Sequence, residues 1–471
     1  MKNLLIKAVL ITALLLPFIA KGQLVTLKGK EASYAGQELV FYKYSDLITL
    51  TEEEVGRCKV SRKGDFSCKI KITETTFIYS LLGVYKAYLF AEPGKSYELI
   101  LPQREDKTEA QRLNPYFRET DLQIGIANAN ESDLNYTTSQ FDALFNQNFD
   151  NIVEKTYKGE LNLSIDSIIN TIESLFAENS SSYFSSYRKY RYGLLKQLTL
   201  YQKAKSISNE YFLNQPIQYN NTAYMELFNL VYDKYFIHFG RTLAGKAIFD
   251  NISQQRSYSA LKQTLATDSI LANDTLKELV ILKSLYGEFF DDEFSRSALL
   301  TILDSLYFNT RIPEHLVIAE NIRSRVTKML PGFVPTQFEL KDQNGKTKSL
   351  NSFKDKYVYL NFCSTTSYTC LQDFVLLKKL YDKHSKHIEI VTICVDSNEN
   401  DMQVLLKNTG YDWTFLYYGN KPELVKDYDV RAYPTYFLIG PDKKLIWSPA
   451  PSPREDVEVR LFNLLRSKGE I

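Results

Sequence analysis

The spacing of apolar residues changes character twice along the chain. From Leu24 to about Gln103, apolar and polar residues alternate in short runs: LVTLKGK, ELVFYKY, RCKVS, DFSCKIKI, TFIYSLL, YKAYLFA and SYELILP. Period two is the signature of strands with one buried face, and YAGQE, RKGD and EPGKS supply turn chemistry between them. Residues 23–103 therefore predict a small all-β sandwich-like domain. Across residues 104–330 the apolar spacing becomes three and four, as in QFDALFNQNFDNIVEKTY and LKELVILKSLYGEFF. That spacing predicts an all-α region, and its many Tyr and Phe at helical positions predict an aromatic core. Residues 331–471 alternate strand and helix. A hairpin turning at Asn344-Gly345 comes first, then the dense apolar runs YVYLNF and IEIVTICVD around the helix CLQDFVLLKKLYDKH. The pair AYPTYFLIGPDKKLIW follows, and the helix EDVEVRLFNLLRSK closes the chain.

Composition adds little to this multidomain picture. Hydrophobic residues make up 44% and charged residues 24%, and 57 basic against 56 acidic residues leave a net charge of +1. No strong field favours nucleic acid or an anionic membrane as partner. The N-terminus changes more. Lys2 and Lys7 precede an apolar run from Ala8 to Ala20, and Ala20 and Gly22 supply small residues before Gln23. Residues 1–22 thus predict a secretory signal peptide, and no later segment is apolar enough for a transmembrane span after its cleavage. An exported protein enters an oxidising or redox-managed compartment, so Cys58, Cys68, Cys363, Cys370 and Cys394 acquire weight. Cys58 and Cys68 flank a turn at Lys63-Gly64. A loop centred on Lys63 sets them opposite each other, as a cross-strand disulfide or as two packed thiols.

The candidate chemistry lies in NFCSTTSYTC, Asn361 to Cys370, where a strand passes through a polar turn into a helix. Ser367 opens the helix as a favoured N-cap, and Cys370 follows three residues later. No His or acid in the sequence pattern marks Ser367 for acyl transfer. His238, His315, His384 and His387 are scattered, and no phosphate loop or dinucleotide fingerprint is present, so neither a metal nor a cofactor is expected.

VPTQFELKDQNGKTKSLNSF, KYVYLNF, the CVD ending a strand, and YDVRAYPTYFLIGPDKKLI together carry a resemblance. Phe333 to the C-terminus resembles the exported thioredoxin-like thiol-disulfide reductases of the TlpA/ResA type. The resemblance implies an α/β thioredoxin fold with an added N-terminal hairpin. In that register Asn361 and Phe362 match the family's Asn-Phe, and Cys363 stands where its Trp sits. Ser367 occupies the first position of C-x-x-C, Tyr368 and Thr369 the middle, and Cys370 the second. Pro434, after Tyr433, matches the proline that faces the redox site and is cis in the family. The β-domain is similar to one often fused ahead of such modules in Gram-negative envelope proteins.

Disulfide exchange begins with a thiolate at that first position, and a serine hydroxyl cannot form the mixed disulfide. The resemblance therefore implies an exported protein of the cell envelope, periplasmic or associated with the outer membrane, that binds a protein or peptide partner without disulfide reductase activity. Ser367, Tyr368, Thr369, Tyr433 and Pro434 would line its groove. The alternative is a thiol-disulfide oxidoreductase whose catalytic Cys370 works with Cys363 or Cys394 as a non-standard partner.

Overall fold

The computed structural model describes residues 22–114, 116–158, 165–176, 181–199 and 203–471. All but the last residue of the expected signal peptide lies outside the described residues. Two compact units emerge, one of residues up to 105 with 119–319, the other of 106–118 with 320–471.

The first unit begins with the seven expected strands: β1 (Gln23–Lys30), β2 (Glu38–Tyr44), β3 (Glu52–Lys59), β4 (Asp65–Ile72), β5 (Thr76–Leu82), β6 (Tyr85–Ala91) and β7 (Ser96–Ile100). Two more follow, β8 (Thr120–Gln123) and β9 (Gly125–Ile126). They form two sheets, ordered β4-β1-β7-β9 and β3-β2-β5-β6-β8. The inward parity of each strand fills the space between the sheets with Val25, Leu27, Phe41, Ile70, Ile78 and Leu89. Cys58 on β3 and Cys68 on β4 are joined in a disulfide, Cα atoms 5.1 Å apart, so the bridge links the two sheets. The connecting turn is centred on Lys63, with Val60 opposite Phe66. Gly64 holds φ +87° there, and a Cβ would fall 2.7 Å from the Ala32 backbone.

The opposite parity of the five-stranded sheet is aromatic: Phe77 stacks on Tyr88, and Phe90 meets Tyr183 and Tyr187 at 5.7 and 5.9 Å between ring centroids. Tyr183 and Tyr187 belong to the helix Ser182–Leu198. The side-chain amide of Asn135 closes on both the N–H and C=O of Phe90, each at 2.8 Å. Sandwich and helices therefore share a second core. The sandwich takes strands from beyond residue 103, the helices join it in one unit, and the second unit combines 106–118 with 320–471. β8 and β9 are too short for alternation to declare them; they exist by pairing with β6 and β7.

Two buried glutamates mark the helical part. On the helix Asp274–Gly287, Glu278 accepts from Tyr258 (2.9 Å) and Thr310 and pairs with the buried His315 (2.8 Å). Burial alone would raise its carboxyl, but these hydrogen bonds hold it at about 2. Glu288 is fully buried and receives the N–H groups of Phe236 and Ile237 at 3.0 Å. Burial outweighs those two bonds and pushes its carboxyl up to about 7.

The second unit holds a seven-stranded mixed sheet: β10 (Leu340–Asp342), β11 (Thr347–Lys348), β12 (Tyr357–Cys363), β13 (Ile388–Cys394), β14 (Thr414–Tyr417), β15 (Thr435–Ile439) and β16 (Leu445–Trp447). The order is β11-β10-β14-β13-β12-β15-β16, with β12, β13 and β14 parallel. The central pair is buried on both faces, as its dense apolar runs require. One face carries Tyr359, Cys363, Ile390 and Cys394 against the helices Tyr368–His384 and Val457–Ser467; the other carries Leu360, Phe362 and Ile393. The Asn344-Gly345 hairpin is present, with Asp342 Oδ1 accepting from the N–H groups of Asn344 and Lys346. Among the described residues no helix is long and apolar enough to cross a membrane.

Candidate functional site

The site forms where β12 ends and the helix Tyr368–His384 begins. Cys363 is the last residue of β12, and the chain must reverse within four residues to start the helix. Asp396, two residues past the end of β13, holds that turn. Its Oδ1 accepts from the Ser364 hydroxyl at 2.7 Å and from the Thr365 N–H at 3.0 Å, and it is itself buried. Ser364 in turn accepts the Ser367 N–H on its carbonyl at 3.2 Å. The helix then begins with Ser367 as N-cap, its Oγ accepting the Cys370 N–H at 3.4 Å. Asp396 is the acid of the CVD motif, which marks a strand end in the sequence without revealing that the acid reaches back to this turn.

Ser367 is half-buried, while Tyr368 and Thr369 are exposed, Tyr368 by 73%. Cys370 lies below them with no exposed surface, and the same holds for Cys363 and Cys394. The Tyr433–Pro434 peptide bond is cis, and Tyr433 lies near enough to Cys370 for the two to interact electrostatically. Burial pushes the Tyr433 phenol up to about 12. The structure thus brings Ser367, Cys370 and Tyr433 to one end of the sheet, with Tyr368, Thr369 and Pro434 beside them in sequence.

The three free thiols form one buried group. Cys363 and Cys394 stand opposite each other in the parallel pairing of β12 with β13, on the face that the Cys370 helix covers. The neighbouring Cys363 thiol holds Cys370 below the usual thiol range, against burial, with help from the Ser367 hydroxyl and the Ser364 backbone. Burial pushes Cys363 and Cys394 well up. The helix N-terminus likewise favours the charged form of the Cys370 sulfur.

Asp373, one turn further along the helix, is also buried, a position that sequence reading left unassigned. It accepts from Tyr436 Oη at 2.8 Å and from Arg454 Nε, while Arg454 also reaches Gln372 at 2.8 Å. Arg454 comes from 81 residues away, so spacing gave no signal for this pair. A short helix, Glu109–Leu113, belongs to this same unit. Thr108 and Gln111 cap each other at its start, and Glu109 accepts from the Ser397 hydroxyl at 3.0 Å, next to Asp396. Among the described residues no group of three or more His, Cys, Asp or Glu side chains gathers as a metal site.

Residues 327–460 match the family described as Redoxin. The thiol-disulfide oxidoreductase ResA of Bacillus thuringiensis subsp. konkukian (strain 97-27) is 35% identical over 126 residues, 26% of this chain and 69% of that protein. ResA of Bacillus subtilis (strain 168) is 32% identical over 131 residues, 27% of this chain and 72% of its own length. Among solved structures, the thioredoxin domain of a thiol-disulfide oxidoreductase from Bacteroides vulgatus is similar, with 21% identity and a TM-score of 0.27. That match covers 29% of this chain and 97% of the solved one. A thiol-disulfide oxidoreductase from Bacteroides fragilis NCTC 9343 is 19% identical with a TM-score of 0.26, covering 28% and 99%.

Proposed function

Through its C-terminal module the chain belongs to the thioredoxin-like family of ResA-type thiol-disulfide oxidoreductases, and from that premise we propose an exported cell-envelope protein that binds a protein or peptide partner without reducing its disulfides. One observation carries this reading. The position from which the family's attacking thiol acts holds the hydroxyl of Ser367, and all three free thiols have no exposed surface. Attack on a protein disulfide needs a sulfur that can line up with the target S–S bond, and none reaches the surface here. Exposed Tyr368 and Thr369 at the helix start and the cis Tyr433–Pro434 bond support a surface for an extended chain. The signal-like N-terminal sequence and the Cys58–Cys68 disulfide support export to an oxidising compartment.

The test is reduction of insulin by the purified full chain under dithiothreitol. The expected rate equals that of dithiothreitol alone. Robust turnover by the wild type would overturn the binding reading in favour of an oxidoreductase using Cys370 with a non-standard partner.

A further inference from the structure

A cavity of about 780 Å³ opens in the helical part of the first unit, and none of the candidate site residues lines it. The helices Tyr258–Leu265, Asp274–Gly287 and Arg296–Asn309 border it, together with the turn that precedes the first of them. Three cations line it, Arg256, Lys262 and Lys277, against the single carboxylate of Asp274. We propose that this cavity binds a small hydroxylated monocarboxylate, an acidic sugar of the uronate kind. Arg256 and Lys262 take its carboxylate, and the surrounding hydroxyls and amides take its ring hydroxyls. The site is independent of the peptide-binding reading, since neither Ser367 nor any thiol takes part.

Three observations carry it. The first is how the cations are partnered. Lys277 is 4% exposed and gives its ammonium to Asp274 Oδ1 at 2.8 Å, so that pair is neutral as a unit. Lys262 Nζ stands 4.0 Å from Glu278 Oε2, beyond hydrogen-bonding distance, and Glu278 already accepts from Tyr258, Thr310 and His315. The Arg256 side chain has no ion-pair or hydrogen-bond partner among the described residues. Its planar fork matches a carboxylate through two parallel hydrogen bonds. The second is the charge count. Arg256, Lys262 and Lys277 against Asp274 and Glu278 leave one net positive charge. A single carboxylate neutralises it, whereas a doubly charged phosphate monoester overshoots.

The third is the remaining lining. The hydroxyls of Ser257, Ser259 and Ser305 and the amides of Gln255, Gln263 and Asn309 face the same cavity. Ser257 and Ser259 bond each other at 3.1 Å, and Asn309 gives its Nδ2 to the Ser305 carbonyl at 2.7 Å, which leaves its Oδ1 as an acceptor. Hydroxyls and amides both donate and accept, as the hydroxyls of a sugar do, and an aliphatic acid offers them nothing to pair with. Tyr258 and Ala266 add apolar surface for the C–H face of a ring. Asp274 orients the ligand: its charge repels the carboxylate towards Arg256 and accepts a hydroxyl at its own end. Ligand cavities run to about 300–1,000 Å³, so this volume suits one or two sugar rings.

The test is titration calorimetry of the full chain with D-glucuronate, backed by saturation-transfer NMR. One-site binding with a dissociation constant of about 1 mM or tighter is expected. D-glucose supplies hydroxyls without the charge, and acetate the charge without hydroxyls; each should bind at least about tenfold more weakly. Arg256→Asn removes the guanidinium while keeping a residue suited to the left-handed φ of +49° at that turn. It should weaken glucuronate at least about tenfold and leave the urea midpoint unchanged, and Lys262→Gln should weaken it in the same direction. Silence in both measurements with wild type, equal binding of glucose or acetate, or full affinity in a folded Arg256→Asn variant would each overturn the proposal. Tighter binding of glucose 6-phosphate than of glucuronate would overturn the assignment to a monocarboxylate. The insulin assay reads the other claim separately, since it does not involve this cavity.

Discussion

Replacing Ser367 by Cys recreates C-Y-T-C in a chain that otherwise keeps its site, and the structure sets what should happen. The stability cost is small. The cap bond from the Cys370 N–H to Ser367 Oγ is long, at 3.4 Å, so losing it should cost near the low end for an N-cap, about 0.5 kcal/mol. A thiolate at the same helix terminus regains roughly 0.5 kcal/mol from the macrodipole. The two nearly cancel, and the thermal midpoint should move by no more than about 2–4 °C. Activity should change far more, because the hydroxyl cannot form a mixed disulfide and the thiolate can. Insulin reduction under dithiothreitol, followed by turbidity, should rise at least about tenfold over the wild type, whose rate is the background. Alkylation of the native variant should show position 367 reactive while Cys370 stays shielded. A folded variant with a reactive thiol at 367 and no gain in rate would refute the reasoning. The groove around Tyr433 and Pro434 would then no longer be the family's.

Three further outcomes concern the fold that carries the site. Glu288 titrates near 7 when folded against about 4.5 when unfolded, so between those values the folded chain holds a proton that the unfolded chain has released. Stability should therefore fall as pH rises through that window, by about 3 kcal/mol at most, and Glu288→Gln should flatten the urea midpoint against pH; an unchanged slope would exclude Glu288 as its source. Glu278→Ala strands Tyr258, Thr310 and the buried His315 without their acceptor, and should cost about 3–5 kcal/mol in denaturant unfolding, whereas a loss below about 1 kcal/mol would mean the network contributes little. Removing the disulfide with Cys58→Ala and Cys68→Ala frees a 10-residue separation in the unfolded chain and should cost about 2–3 kcal/mol; calorimetry on the oxidised and double-variant proteins measures it.

Where pattern and structure agree, the information was local. Alternation placed β1 to β7 because each strand advertises its buried face every second residue, and the Lys63-centred turn set Cys58 against Cys68 by counting alone. β8 and β9, four and two residues long, advertise nothing, and they are strands because β6 and β7 offer open edges to them. A change of period marks where helices begin, but the outward aromatics Phe77, Tyr88 and Phe90 needed a covering layer, and the helices supply it. Asp373 and Arg454 were invisible as a pair, since 81 residues separate them.

The site divides along the same line. That a helix starts at Ser367 and that no thiol stands at its cap is legible in the residues alone, because capping chemistry and the register from Asn361 to Cys370 are properties of adjacent residues. Where the remaining cysteines lie follows from how distant segments pack. Strand pairing put Cys363 opposite Cys394, Asp396 held the turn from which the helix starts, and the packing of that helix on the sheet buried all three in one cluster. Which cysteines share a buried cluster depends on the path of the chain through space, and residue spacing does not encode that path.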